Sequence, residues 1–121
     1  MVVGNNDNNL YVYKEKTTSG FEIHQILNDS SDDVRTVDIT GDAQFLLSIF
    51  CEREALIYHY SGITDAFEVF QTIILSNNSF DYSSAGAITD DHQWIIAGVN
   101  NTIKIFTFNE SLNEFTFNHT L

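Results

Sequence analysis

The stretch that decides the fold is ITDDHQWIIAGVNNTIKIF, residues 88–106. It repeats an earlier stretch, ITGDAQFLLSIFCEREALIYHY at residues 39–60, with an offset of 49 residues that falls to 48 towards its end. Self-similarity at a fixed period is typical of a protein built from one supersecondary unit used several times. The chain is therefore predicted to be a repeat protein.

Further landmarks extend the repeat to almost the whole chain. FEIHQIL at residues 21–27 returns as FEVFQTI at 67–73 and as FTFNHTL at 115–121, which gives spacings of 46 and 48 residues. LYVY at residues 10–13 has counterparts in both later units. The sequence thus contains about two and three-quarter units, and the first unit lacks its beginning.

Each unit breaks into four short segments rich in β-branched and aromatic residues, separated by Gly, Asn, Asp and Ser. In the two complete units the strands are predicted at 34–40, 44–50, 54–60, 67–73, 84–89, 93–99, 102–108 and 113–121. The first unit adds three, which makes eleven strands, and no segment is typical of a helix. The units are predicted as an incomplete one at 1–27 and complete ones at 34–73 and 84–121 of a single domain.

The central strands are apolar on both sides. Residues Phe45–Leu47 are consecutive apolar residues, and so are Trp94–Ile96. A strand of this kind is covered on both faces, as happens when small four-stranded sheets stack against one another in a β-propeller. The alternative is a two-sheet sandwich, which would leave one face of each sheet in water and the repeat unexplained.

The run at 88–106 resembles the core of a tryptophan-aspartate (WD) repeat. The resemblance covers almost the whole chain and implies an all-β propeller segment of nearly three four-stranded antiparallel blades. The Trp-Asp pair that names the family is Phe106-Thr107 here, and Tyr58-His59 one unit earlier. Ser48 stands at the position of the family's hydroxyl, where the next unit has Ala97.

Charge and composition exclude several classes of partner. The chain has 17 acidic against 5 basic residues, a net charge of −12, which disfavours nucleic acid and anionic membrane surfaces. Its apolar runs are far shorter than the roughly 18 residues that a membrane-spanning helix needs. Residues 1–5 lack the cationic stretch and the apolar run of a signal peptide. The location is not fixed by the sequence; we favour an intracellular one, in the cytoplasm or with the cytoskeleton, and keep a secreted or cell-surface location as the alternative.

Fewer than three blades cannot close a ring, because propellers have about four to eight. The two end sheets would each show an apolar face bearing residues such as Phe45, Leu47 and Ile57 or their alternates. Exposed patches of that kind are usually covered. We therefore expect other proteins as partners, with further blades or copies of the chain on both end faces.

Catalytic and metal chemistry is not indicated. His24, His59, His92 and His119 are far apart in sequence, and Cys51 is alone and predicted to be a small buried hydrophobe. The oxygen-rich turn at 5–9 fails the calcium-loop pattern, because the Gly and Glu that the pattern requires are replaced. No cofactor, metal or catalytic residue is predicted, and the chain is expected not to be an enzyme. A propeller enzyme would need polar channel residues that recur in its first strands, and they do not.

Two long loops follow the fourth strands of the units and are predicted to lie on one rim. Loops held by a rigid scaffold commonly carry recognition. The candidate partner-binding residues are Asp29, Ser30, Asp32, Asp33, Asn77, Asn78 and Asp81. A plain solvated turn is the alternative. Ser30 and Ser31, which precede acidic residues, are also weak candidates for phosphorylation.

Five Asn-x-Ser/Thr triplets occur, where the content of Asn and of Ser plus Thr gives an expectation of about two. Four of them fall in predicted turns and are candidate N-glycosylation sites, namely Asn28, Asn77, Asn100 and Asn109. Asn118, the fifth, lies in a predicted strand. The sequence thus favours a non-catalytic interaction scaffold within a multi-subunit assembly, and the alternative is a glycosylated extracellular repeat protein that self-assembles.

Overall fold

The computed structural model describes residues 1–30, 32–51 and 53–121. In this part of the chain there are eleven strands and no helix. The strands are β1 (Val2–Gly4), β2 (Leu10–Glu15), β3 (Phe21–Leu27), β4 (Val34–Ile39), β5 (Phe45–Phe50), β6 (Glu54–Ser61), β7 (Ala66–Ile74), β8 (Ser83–Ile88), β9 (Trp94–Val99), β10 (Thr102–Asn109) and β11 (Glu114–Thr120).

The strands form three antiparallel sheets, each a run of consecutive hairpins. Sheet I contains β1–β3, sheet II contains β4–β7 and sheet III contains β8–β11. Neighbours in sequence are neighbours in every sheet, so each unit of the repeat is one up-and-down sheet. The predicted all-β propeller segment, with one three-stranded and two four-stranded sheets, is confirmed.

Sheet II is covered on both faces. Leu46, Phe50 and Tyr58 pack with sheet I, while the alternate residues Leu47 and Ile57 pack with sheet III. Side chains of a strand point to opposite faces in turn, so an apolar run such as Phe45–Phe50 supplies both cores. The two-sheet sandwich, which leaves one face of every sheet in water, is thereby excluded.

The last strand of each sheet, β3, β7 or β11, is called its outermost strand. It carries a β-bulge at the equivalent position in all three sheets. The register shifts between Val12 and Tyr13 in sheet I, between Ile57 and Tyr58 in sheet II, and between Ile105 and Phe106 in sheet III. A bulge re-aims the side chains beside it. The repeat therefore extends to backbone irregularities and not only to the pattern of apolar residues.

The hairpins that open sheets II and III are also alike. Thr40 accepts a hydrogen bond from the Phe45 N–H (3.1 Å) and donates one to Asp42 (2.7 Å), and Asp42 accepts from the Gln44 N–H (3.0 Å). Thr89, Asp91 and their partners repeat these bonds in sheet III. Each hairpin places one residue, Ala43 or His92, at a φ near 60°. The side chains of Thr and Asp thus shape the first hairpin turn in both sheets.

The faces that are left bare differ from those named in the sequence analysis. Phe45, Leu47 and Ile57 lie between sheets II and III, and Leu47 and Ile57 are fully buried. The corresponding positions one unit on are less covered, since no described residue packs on that side of sheet III. Trp94 and Ile96 are exposed there, and Ile105 is half-buried. Trp94 aligns with Phe45, which packs between sheets II and III, so Trp94 occupies the corresponding interface position on the bare side of sheet III.

The expectation that Cys51 is buried is also wrong. Its side chain is only partly buried, in the turn after β5, where its Sγ accepts a hydrogen bond from the Arg35 guanidinium (3.3 Å). The turn brings Cys51 to the end of the sheet rather than to its core. It remains a single thiol with a cationic neighbour.

Candidate functional site

The two long loops do lie on one rim, and we call the rim that contains them the loop rim. Its parts are the β3–β4 loop, the β7–β8 loop at 75–82, the chain at Cys51 and the short turn at 100–101. Backbone hydrogen bonds join these parts, because the Cys51 N–H donates to Asp33 and the Ser83 N–H donates to Cys51. The loop rim is therefore one continuous surface rather than separate turns.

The β7–β8 loop is fixed by a network of side-chain hydrogen bonds centred on Asp81. The carboxylate of Asp81 accepts from the Ser76 hydroxyl, the Asn78 amide and the Asn100 amide. Asn100 also accepts from the Tyr82 N–H (3.1 Å) and so ties the loop to the β9–β10 turn. A polar loop of this length thereby acquires a defined conformation.

The same network presents two aromatic rings to solvent. The Phe80 N–H donates to the Asn78 amide oxygen (3.1 Å), and this bond holds the backbone while 90% of the Phe80 residue stays exposed. Tyr82 is exposed beside it. Ser76, Asn78 and Asp81 thus hold the loop together, while the two aromatic side chains are exposed to solvent.

The β3–β4 loop is less exposed to solvent than the β7–β8 loop. Ser30 donates to the backbone carbonyl of Asp32 (2.6 Å) and accepts from its N–H (3.1 Å), so its hydroxyl already serves the turn. Asp32 and Asp33 are half-buried, and Asp29 is exposed. Burial raises the pKa of the Tyr58 hydroxyl, and the negative charge of the Asp29 carboxylate raises it further. Ser31, the other proposed phosphate acceptor, lies outside the described residues.

Apart from the half-buried Asp32 and Asp33, the structure divides the predicted partner-binding residues into two groups. Ser30, Asn78 and Asp81 are engaged in the loops' own hydrogen bonds, and they shape the surface. Asn77 is exposed and makes no hydrogen bond among the described residues, so it is available to a partner, whereas the exposed Asp29 lies close to the Tyr58 hydroxyl. Sequence reasoning missed Phe80 and Tyr82. A pair of aromatic residues within a polar loop was the signal that could have found them.

The candidate glycosylation sites divide in a similar way. Asn28 and Asn77 are exposed, and the side chains of neither make a hydrogen bond within the described chain. The amide of Asn100 is bound to Asp81 and Tyr82, and the oxygen of Asn109 accepts from the N–H groups of the following turn. A glycan on Asn100 would have to break the network that fixes the β7–β8 loop.

The opposite rim carries a second set of polar contacts, which run between sheets. The Gly41 N–H donates to Asp90 (2.7 Å), and His92 Nε2 lies 2.9 Å from the carboxylate of Asp42. The Thr40 hydroxyl and the Gln44 N–H, together with His92, lower the pKa of Asp42 to about 2. These groups form the polar contact between sheets II and III on this rim.

A groove of about 260 Å³ separates sheets I and II on this second rim. Its lining includes Lys14, His24 and Asp65, and His24 Nε2 lies 2.8 Å from the Asp65 carbonyl oxygen. Hydrogen bonding from Tyr60 lowers the pKa of Asp65. In the parts of the chain that the structure describes, no three His, Cys, Asp or Glu side chains converge as a metal site would require. The described residues also include no helix long and apolar enough to span a membrane.

The stacked, repeated antiparallel sheets define a propeller-like protein. No protein-family model matches the sequence, and no curated protein matches it either.

Solved structures match closely in shape and poorly in sequence. A Lactobacillus plantarum protein matches all of this chain with a TM-score of 0.77 at 13% identity, over 40% of its own length. Saccharomyces cerevisiae Sqt1 matches 99% of this chain with a TM-score of 0.77 at 10% identity, over 31% of its own length. A Desulfotomaculum acetoxidans protein matches 95% with a TM-score of 0.73 at 13% identity, over 35% of its own length.

The chain therefore spans about a third to two fifths of the structures that it resembles. At such low identity the likeness concerns the fold alone. It supports the propeller-like architecture and leaves the WD repeat as a resemblance in sequence pattern.

Proposed function

We propose that this chain is a sector of a divergent WD-like propeller that acts as a non-catalytic protein-interaction scaffold, with the loop rim as its contact surface. The observation that carries the proposal is the β7–β8 loop, in which the Asp81 network fixes the backbone while Phe80 is 90% exposed. Aromatic side chains held in one conformation give large contact area at little entropic cost, which is why they dominate binding hot spots.

The surroundings of Phe80 suggest the chemistry of the partner. Asp29, Asp32 and Asp33 lie on the same rim, within a chain whose net charge is −12. A partner surface with an apolar pocket for the ring and basic residues around it fits this arrangement, because complementary charge steers association and disfavours wrong partners. The acidic residues would act mainly on the rate of encounter, and the aromatic ring on the lifetime of the complex.

Departures from the WD pattern bear on how the scaffold is built and leave its surface unaffected. Ser48 Oγ and the Tyr58 hydroxyl are buried, and no described residue forms a hydrogen bond with them. Ser48, at the position of the family's hydroxyl, therefore forms no hydrogen bond through its side chain within the described part of the chain. The sheets are instead joined by apolar cores and by the contacts on the second rim.

A photo-crosslinking amino acid at position 80 tests the proposal in cells that express the protein. Ile63 is the matched control position, because it is 98% exposed and lies on the opposite rim. We expect discrete crosslinked proteins from position 80 and none in common from position 63. In a second arm, Phe80→Ala should abolish co-purification of those proteins without changing the melting temperature. Identical crosslinks at both positions, or none at position 80, would exclude the loop rim as the contact surface.

A further inference from the structure

The two interfaces between sheets contain the same side-chain-to-backbone contact. The amide of Gln25 in sheet I donates to the Phe67 carbonyl oxygen and accepts from the Phe67 N–H, both at 2.8 Å. The amide of Gln71 in sheet II does the same with Phe115, again at 2.8 Å for both bonds. We call this two-bond contact the amide bracket.

The bracket depends on two repeated features of the backbone. Gln25 and Gln71 both come directly after the bulge residue of their outermost strand, opposite Val12 and Ile57 respectively. The backbone that receives the amide belongs to an edge strand, whose outward N–H and C=O groups have no strand to pair with. The glutamine therefore provides hydrogen-bond partners for the N–H and C=O of one residue in an edge strand that has no neighbouring strand on that side.

Each sheet has a leading face, which meets the sheet before it, and a trailing face, which meets the sheet after it. Phe67 and Phe115 are on leading faces and are 6% and 3% exposed. Phe21 holds the equivalent register opposite Glu15, so its N–H and C=O also point outward, but it is 52% exposed. The leading face of sheet I thus presents the backbone N–H and C=O of an amide bracket without the glutamine that would bind them.

That face is also apolar. Val3, Ile23 and Ile26 are exposed on it, beside the half-buried rings of Tyr11 and Tyr13. Leu10, Val12 and Leu27, which alternate with these residues, are buried against sheet II, so the strands of sheet I are apolar on both sides as those of sheet II are. The leading face has the composition of a sheet interface.

The chain's own trailing end does not supply the missing group. The position equivalent to Gln25 and Gln71 in sheet III is His119, opposite Ile105 and directly after the bulge. An imidazole places its two nitrogens across a ring and cannot reproduce the adjacent donor and acceptor of an amide. A second copy of this chain would therefore cover the face without forming the bracket.

We propose that the leading face of sheet I is a docking surface for a propeller sheet whose outermost strand carries glutamine at the bracket position. The glutamine binds the Phe21 backbone, and an apolar trailing face covers Ile23, Ile26 and the tyrosines. Glutamine at this position is the selective element, because a sheet with another residue there buries the Phe21 N–H and C=O without partners. The inference does not depend on the proposed role of the loop rim.

The variant His119→Gln converts the chain itself into the probe, since its trailing face then carries the bracket residue. Sedimentation velocity over a range of concentrations compares it with the wild type and with His119→Asn, whose amide is too short to reach. We expect head-to-tail association of His119→Gln to be at least about tenfold tighter than that of either control, as two added hydrogen bonds imply. Amide hydrogen exchange at Phe21 should slow only in the associated form.

A second pair of variants locates the face. Ile23→Lys in the His119→Gln background should abolish the gain, while the matched Ile63→Lys, at a 98% exposed residue away from the face, should leave it unchanged. The proposal is overturned if the wild type associates as tightly as His119→Gln, if His119→Gln gains nothing over His119→Asn, or if association survives Ile23→Lys.

Discussion

At the scale of single residues, the hairpin side chains of the second rim set the response of the protein to acid. Asp42 accepts hydrogen bonds from Thr40 and Gln44 and lies beside His92 of the next sheet. These contacts favour the ionised carboxylate, so they lower its pKa from 3.8 to about 2. Asp91 makes the same turn contacts in sheet III, and its pKa is lowered as well.

The sign of the effect follows from linkage. A carboxyl group whose pKa is lower in the folded state stabilises the fold fully above its unfolded pKa, and this contribution is lost as pH falls through the folded pKa. We therefore expect the contribution of Asp42 to disappear between about pH 4 and pH 2. Urea denaturation at several pH values should show that the stability of Asp42→Asn falls less across this window than that of the wild type. An unchanged slope would show that Asp42 does not contribute.

Gly86 is required by the close approach of sheets II and III. A Cβ built on Gly86 would lie 2.1 Å from Ile49 Cδ1 and 2.8 Å from the Ile96 carbonyl oxygen. The Ile49 side chain can turn aside, but the carbonyl belongs to the neighbouring strand and cannot.

We expect Gly86→Ala to lower the free energy of unfolding by about 1–3 kcal/mol, as overpacking of a core usually does. Chemical denaturation measures the change. The control is Gly62→Ala, because no atom lies within 4 Å of the Cβ that it would add. Equal effects of the two substitutions would argue against the close packing of β8 on β5.

At the scale of elements, the amide bracket joins strands that belong to different sheets. Gln71 bonds both backbone groups of Phe115, a residue that is buried in the core between sheets II and III. Removal of the amide leaves a buried N–H and a buried C=O without partners, and such groups are costly.

Gln71→Ala is therefore expected to destabilise the chain by about 1–3 kcal/mol. Gln93→Ala is the matched control, because Gln93 is exposed and its amide makes only a 3.4 Å contact with Asp91 in its own turn. Thermal melting curves of the two variants measure whether the loss of the Gln71 amide lowers the melting temperature. If Gln71→Ala melts no lower than Gln93→Ala, the bracket contributes nothing to the interface.

The elements are also where the sequence was most informative. Strands β5 and β9 follow from runs that are apolar on both sides. In the β9–β10 turn Asn100 takes a positive φ, which Asn tolerates better than most residues. The brackets did not follow, although both glutamines are visible in the repeat. Whether a strand position bears a bulge, and hence which way its side chain points, depends on pairing that a single strand's sequence does not specify.

The loop rim shows the same limit. The sequence located both loops, because clusters of Asn, Asp and Ser interrupt the strands. It could not separate Asp81, which holds its loop together, from Asn77, which is free. Such a distinction rests on side-chain geometry, and so does the exposure of Phe80.

At the scale of the whole molecule, Trp94 reports on the trailing face of sheet III. It is the one tryptophan of the sequence and is exposed on that face, near Ile96. In dilute solution we expect red-shifted emission that acrylamide quenches readily. When a neighbouring sheet covers the face, the indole leaves water, and the emission should shift to the blue and become protected.

The His119→Gln association described above gives the means of covering this face. Concentration-dependent protection of Trp94 should follow the sedimentation data, whereas His119→Asn should show none over the same range. Blue-shifted, protected emission of the wild type at the lowest concentration would contradict the exposed position of the side chain.

The stacking of sheets, each touching only its neighbours, has a consequence for synthesis on the ribosome. The sheets are formed by hairpins between adjacent strands, and each of the two cores of buried described residues joins consecutive units. Such a protein can assemble by accretion, with each new unit settling on the one just made. Besides the leading face of sheet I, the newest sheet always has a bare side, so a hazard of adhesion to unrelated nascent proteins moves with the growing end. Chaperone protection would be needed longest wherever the next unit is slow to arrive.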